Sequence, residues 1–185
     1  WLGYGRVPGA DRANCSGVLI GPDLVVTAAH CLVDAGTGQP RRPAALTFAA
    51  GWADGQAVDS APGAEVILPT PRLLLGGRLP YDLALLRLAR PLAGVAPLPL
   101  ADWPAPVDAA LTTLAYPQAH SDRPERQQGC AITLALPPVI GLSCHAVGGY
   151  SGGAVLIAAP DGGWRLQAVM VANANHSPTI GALAL

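Results

Sequence analysis

Glycine and proline interrupt this chain so often that no long helix fits between them. There are 22 Gly and 19 Pro among 185 residues, and each tends to end or bend a regular element. Between the interruptions lie short apolar runs, which read as strands joined by turns. Residues 17–27 read as strand, a Gly21-Pro22-Asp23 turn, and strand. Further strands are expected at 46–50, 64–68, 83–88, 110–115, 130–136, 153–157 and 164–171. Pro91, Pro97, Pro99, Pro104 and Pro106 make the intervening stretch an extended connector. The chain is therefore expected to be all-β, with an N-terminal half at 1–95, a connector at 96–106 and a C-terminal half at 107–185. Each half has the short-strand pattern of a barrel or sandwich.

Apolar residues make up 51% of the chain and charged residues only 12%, yet no window reaches the ~18 uninterrupted apolar residues of a membrane span. A net charge of -1 offers no basic field for nucleic acid. All basic side chains other than histidine are Arg, and the abundance of Ala, Gly, Pro and Arg fits a GC-rich gene. The opening Trp1-Leu2-Gly3-Tyr4-Gly5-Arg6 has neither the charged start nor the apolar stretch of a signal peptide. It reads as the beginning of a mature portion whose export signal has been removed.

Cys15 and Cys31 lie 16 positions apart, and Cys130 and Cys144 lie 14 apart. Four cysteines allow three connectivities. Local pairing is preferred because each bridge then closes a short loop within one half, contributing about 3 kcal/mol. A zinc site is the rival, but the spacing lacks a Cys-x2-Cys step and zinc would draw ligands from both halves. Disulfides point to an oxidising compartment, so the chain is expected to be secreted or periplasmic.

Three residues stand out for chemistry. His30 ends an apolar strand in Val25-Val26-Thr27-Ala28-Ala29-His30-Cys31, and Asp82 opens another in Asp82-Leu83-Ala84-Leu85-Leu86. Ser151 sits in Gly148-Gly149-Tyr150-Ser151-Gly152-Gly153. Singly, each has a plain structural reading: a histidine or aspartate at a strand end, a serine in a glycine-rich turn. Together they supply the types that nucleophilic catalysis needs. A serine hydroxyl is a weak nucleophile without an adjacent base, imidazole can take and return its proton, and a carboxylate holds the ring. Glycines on both sides of Ser151 imply a tight turn that aims backbone N–H groups at one point.

Cys15-Ser16-Gly17-Val18-Leu19-Ile20, Thr27-Ala28-Ala29-His30-Cys31, Asp82-Leu83-Ala84-Leu85-Leu86 and Ser151-Gly152-Gly153, in that order, resemble the chymotrypsin/trypsin family of serine proteases. The pattern is most similar to the bacterial secreted, glutamyl-endopeptidase-like members. The resemblance implies two antiparallel six-stranded β-barrels with the active site in the cleft between them. It makes His30 the general base and acid, Asp82 its orienting partner and Ser151 the nucleophile, with an oxyanion hole from the N–H groups of Gly149 and Ser151. It also implies the Cys15–Cys31 disulfide beside the histidine.

Two departures are visible. The family's common Asp before the nucleophile, which pairs with a newly released N-terminal amine, is here Tyr150, so activation by N-terminal insertion is not expected. The substrate pocket, by family position, would include His145, Met170, Ala172 and Asn173. His145 stands where trypsin-like enzymes carry an Asp, which argues against a preference for basic residues. His120 and His176 lie in turn-rich stretches and read as solvated.

The expected partner is a protein or peptide substrate. No cofactor, metal or nucleic acid is expected, and the chain is expected to be a monomer. Two other readings are open. Gly149-Tyr150-Ser151-Gly152-Gly153 also fits the Gly-x-Ser-x-Gly turn of α/β-hydrolases, although that fold needs Asp and His in the short remainder after Ser151. A catalytically weak or inactive protease-like binding module is the third reading, motivated by Tyr150.

Overall fold

Burial alternates along the strands with the two-residue period of a pleated sheet. In Ala84–Leu88, for example, Ala84, Leu86 and Leu88 are buried while Arg87 is exposed. The computed structural model describes residues 4–8, 14–34, 36–69, 81–102, 105–106, 108–173 and 179–182. They contain no α-helix, only one-turn 3-10 segments such as Ala29–Cys31.

The first half has six strands: β1 (Tyr4–Pro8), β2 (Asn14–Gly21), β3 (Leu24–Thr27), β4 (Thr47–Ala50), β5 (Asp59–Ile67) and β6 (Ala84–Leu88). They close into an antiparallel barrel in the order β1-β2-β3-β6-β5-β4, the seam being Gly5 opposite Ala50 and Arg6 opposite Ala49. Leu19, Val25, Leu32, Leu46, Phe48 and Leu86 fill its interior.

The second half has β7 (Leu111–Ala115), β8 (Glu125–Cys130), β9 (Ile132–Leu136), β10 (Val139–Leu142), β11 (Ala154–Ala158), β12 (Trp164–Asn173) and β13 (Thr179–Ala182). A second closed six-stranded barrel is not formed by the ladders of the described residues. Their strands make one seven-stranded antiparallel sheet, β8-β7-β11-β12-β13-β10-β9. Its edges β8 and β9 follow one another through Ala131 without a ladder between them. That corner is held by other bonds: the Cys130–Cys144 disulfide, Ser143 N–H to the Ala131 carbonyl (2.9 Å) and Ala131 N–H to Ser143 Oγ (2.9 Å).

A third apolar cluster joins barrel and sheet. Val18, Val26 and Leu83 from the barrel side pack with Leu114, Val139, Leu156, Leu166 and Val169 from the sheet, and Leu98 lies among them. The chain around Leu98 is stitched to both halves. Leu98 N–H donates to the Leu19 carbonyl (2.8 Å), and Leu166 N–H to the Pro99 carbonyl (2.8 Å).

The antiparallel sheets, without flanking helices among the described residues, set aside the α/β-hydrolase reading, which needs helices packed on a parallel sheet. Several strands differ from expectation for local reasons. The expected 64–68 strand is the end of the longer β5, which carries Pro62 and Gly63 through a register shift between Gly63 and Glu65. The expected 130–136 strand divides at Ala131, whose backbone turns to Ser143.

Outside the core, Arg90 clamps the start of β5. Its guanidinium donates to both Asp59 carboxylate oxygens (2.6 and 2.8 Å) and to the Ser60 carbonyl (2.7 Å), and Ala93 N–H also donates to Asp59 (2.8 Å). The Arg90 hydrogen bonds, then that N–H, hold the Asp59 carboxyl well below its ordinary range. A depressed folded value means stabilisation that is present above the unfolded pKa and lost as pH falls toward the folded one. Wild type should therefore melt above Asp59→Asn near neutral pH, and the gap should close on acidification below about pH 4. A gap independent of pH in thermal melts would contradict this account.

Candidate active site

Pairing between β3 and β6 sets Thr27 opposite Ala84. In an antiparallel ladder the residues just after Thr27 then face those just before Ala84. Ala29 N–H donates to the Asp82 carbonyl (3.2 Å), and His30 N–H to Asp82 Oδ1 (2.8 Å). The His30 ring approaches the same carboxylate, Nδ1 to Oδ2 at 2.7 Å. With Nδ1–H donating to a carboxylate, neutral His30 presents Nε2 as its proton acceptor. The ring is about half exposed, whereas Asp82 is largely covered.

Cys31 follows on the same one-turn helix and is disulfide-bonded to Cys15. These two sulfurs and the His30 ring cluster closely, but sulfurs joined to each other are not thiolate ligands. Cys130 and Cys144 form the other bond, so the local connectivity holds and the zinc alternative has no free cysteine.

Ser151 lies in the turn between Val147 and Gly153. Every carbonyl from Val147 to Ser151 accepts a hydrogen bond: Val147 from Tyr150 N–H (3.1 Å), Gly148 from Gln118 N–H (2.7 Å), Gly149 from Ser16 Oγ (3.0 Å), Tyr150 from Gly153 N–H (2.8 Å) and Ser151 from Ser16 N–H (2.8 Å). Gly152 N–H donates to the Met170 carbonyl (2.7 Å). The N–H groups of Gly149 and Ser151, by contrast, donate to no group among the described residues. A turn with occupied acceptors and open donors is chemically suited to an anion.

The two flanking glycines are required. Gly149 and Gly152 have φ of 96° and 81°, which side chains rarely tolerate. A Cβ would strike the Tyr116 carbonyl and Gln118 N at the first, and the Ser16 carbonyl and Thr27 Oγ1 at the second.

The structure brings His30 and Asp82 into contact and ties the Ser151 backbone to Ser16, next to the Cys15–Cys31 bridge. No hydrogen bond joins the Ser151 hydroxyl to the His30 ring among the described residues. His145 is exposed, with Nε2 3.9 Å from Glu125. Met170 is buried in the core of the sheet, near Gly153. Ala172 and Asn173 end β12, opposite Ile180 and Thr179. His120 is exposed, and His176 lies outside the described residues.

Sequence reading missed Ser16, which is 2% exposed. Its Oγ accepts from Tyr116 N–H (2.8 Å) while donating to the Gly149 carbonyl, and its own carbonyl accepts from Thr27 Oγ1 (2.7 Å). The Oγ partners are 100 and 133 residues away, so no local pattern marks it. Ser16→Ala removes one partner from each of two buried backbone groups and should cost about 1–3 kcal/mol in urea unfolding. A loss under about 0.5 kcal/mol would mean that these groups find other partners.

Residues 15–162 match the family described as the trypsin-like peptidase domain. No curated protein gives a significant match. Among solved structures, a Glu endopeptidase in complex with MPD aligns with a TM-score of 0.81 at 18% identity, covering 97% of this chain and 83% of that one. A thermostable serine protease from an extremophilic microorganism aligns with a TM-score of 0.74 at 20% identity, covering 97% and 88%. A scabies mite inactivated protease paralogue aligns with a TM-score of 0.77 at 16% identity, again covering 97% and 88%. At these identities the likeness speaks for the fold, which is chymotrypsin-like and all-β. The family match spans most of the sequence, and the chain belongs to the trypsin-like peptidase domain family.

Proposed function

We propose that the chain is a secreted serine endopeptidase that cleaves peptide bonds through His30, Asp82 and Ser151. The observation that carries this reading is the Ser151 turn, whose Gly149 and Ser151 N–H groups are open while its carbonyls are occupied. The His30–Asp82 contact supports it from the other side. In the proposed reaction His30 Nε2 takes the Ser151 proton as Oγ attacks the peptide carbonyl. The negative charge on the carbonyl oxygen is then met by the two open N–H groups. Asp82 keeps the ring in the useful tautomer and stabilises the imidazolium. His30 returns the proton to the leaving amine, and water resolves the acyl-enzyme by the same steps in reverse.

The halves 1–95 and 107–185, linked by 96–106, are proposed as the two walls of the substrate cleft, the second wall closing as a barrel. His145, Met170, Ala172 and Asn173 are proposed to flank the pocket for the residue before the scissile bond. Met170 would act there by holding the turn, since its side chain is buried, its carbonyl accepts from Gly152 N–H and its N–H donates to the Gly153 carbonyl. Two disulfides support an oxidising compartment, and no helix among the described residues is long and apolar enough to cross a membrane.

A protease-like binding module is the second reading, favoured by the missing contact between the Ser151 hydroxyl and the His30 ring. A phosphonylating serine reagent separates the two. It should label Ser151 in wild type and spare Ser151→Ala; equal labelling of both would sink the assignment, and a folded wild type that resists labelling would favour the binding module. In cleavage of a randomised peptide library, Asp82→Asn should lower kcat on the order of 10^4-fold by misdirecting the imidazole tautomer. Activity within about tenfold of wild type would remove Asp82 from the mechanism.

A further inference from the structure

The residue before Ser151 is a tyrosine whose side chain is 2% exposed. A phenol so covered needs a partner for its O–H, because a buried unpaired hydroxyl is costly. Tyr150 finds one in Glu125 of β8, donating to Oε2 in a short hydrogen bond. Burial, then the adjacent carboxylate, pushes the phenol far above its ordinary pKa, so it stays a donor.

Two peptide planes meet at Tyr150. The preceding one carries the Gly149 carbonyl, held by Ser16 Oγ, and Tyr150 N–H, held by Val147. The following one carries the Tyr150 carbonyl, held by Gly153, and the open Ser151 N–H. Rotation at Tyr150, as at Gly149, would swing the Ser151 N–H out of alignment with that of Gly149. An anchored side chain resists that rotation.

β8 holds the same loop a second time. Gln127, two residues on from Glu125 and so on the same face of the strand, donates from Nε2 to the His145 carbonyl (2.9 Å). Glu125 Oε1 also lies 3.9 Å from His145 Nε2. One face of β8 thus grips both ends of the segment from His145 to Tyr150.

From this we infer that Glu125 and Tyr150 form an internal latch that positions the Ser151 turn, with its two open N–H groups. Tyr150 and Glu125 are positioning residues, and the inference rests on the peptidase reading for its consequence in catalysis. The latch itself can be read without activity, by exchange of the Tyr150 and Gly152 amides, which are hydrogen-bonded to the Val147 and Met170 carbonyls. Tyr150→Phe keeps the ring and removes the hydroxyl, while Glu125→Ala keeps Tyr150 and removes the acceptor. Both should raise exchange in the turn about tenfold or more, a local opening that leaves the barrel core protected. In the active enzyme both should lower kcat about 10- to 100-fold with KM within about threefold, as expected for a loss felt by the oxyanion. Glu125→Gln retains an acceptor and should restore exchange and kcat to within about threefold of wild type, and the double variant should be no worse than either single one.

Unchanged exchange in both variants would overturn the latch, whatever happens to the melting temperature. Faster exchange with kcat unchanged would overturn its role in positioning. Faster exchange in a chain whose wild type neither cleaves peptides nor labels at Ser151 would uphold the latch and reject the peptidase reading instead.

Discussion

The site depends on the hydrogen bonds of one buried serine. Ser16 stands on β2 of the barrel, yet its N–H and its hydroxyl reach across to the second half, while its carbonyl accepts from Thr27 of β3. Its N–H holds the Ser151 carbonyl, and its hydroxyl joins Tyr116 N–H to the Gly149 carbonyl. Two backbone turns from the second half are thereby fixed to the strand that leads, through the Cys15–Cys31 disulfide, to the His30 turn. Hydrogen bonds of this kind act as a set: shielded from water, each is strong, and losing one strands its partner.

Around that junction the two halves supply different things. The barrel provides a rigid frame in which β3 and β6 bring His30 and Asp82 to one level. The sheet provides a turn whose carbonyls are all engaged, while the Gly149 and Ser151 N–H groups donate to no group among the described residues. The apolar cluster of Val18, Val26, Leu98, Leu156 and Leu166 keeps the two surfaces in register. Apolar contact alone would allow sliding; the Ser16 bonds and the Leu98–Leu19 bond set the offset. The open donors and the His30–Asp82 pair are the two parts on which the proposed acyl transfer rests.

Much of this was legible in the chain. The dense Gly and Pro punctuation pointed to short strands, and the motifs around His30, Asp82 and Ser151 pointed to a protease fold that the family match supports. The paired cysteines were assigned to local bridges, and these are the bonds present. Misreadings fell where tertiary bonds overrode local signals. Pro62-Gly63 looks like a break, but β5 continues past it because the Gly63 N–H is taken by the Leu46 carbonyl. β10 was not among the expected strands, yet it pairs on both sides. The second half pairs as a seven-stranded sheet among the described residues, its edges meeting at a corner at Ala131 bonded to Ser143 that no local pattern marks.

By itself, then, the sequence determined the class of fold and the residue types at the site, because strand period, turn glycines and short motifs are local and survive in a linear reading. Only the tertiary structure decided which backbone groups near Ser151 are occupied and which are open. Those assignments rest on Ser16, Gln118 and Met170, residues remote from Ser151 along the chain, and a hydrogen bond leaves no trace in the sequence until folding brings its donor and acceptor together.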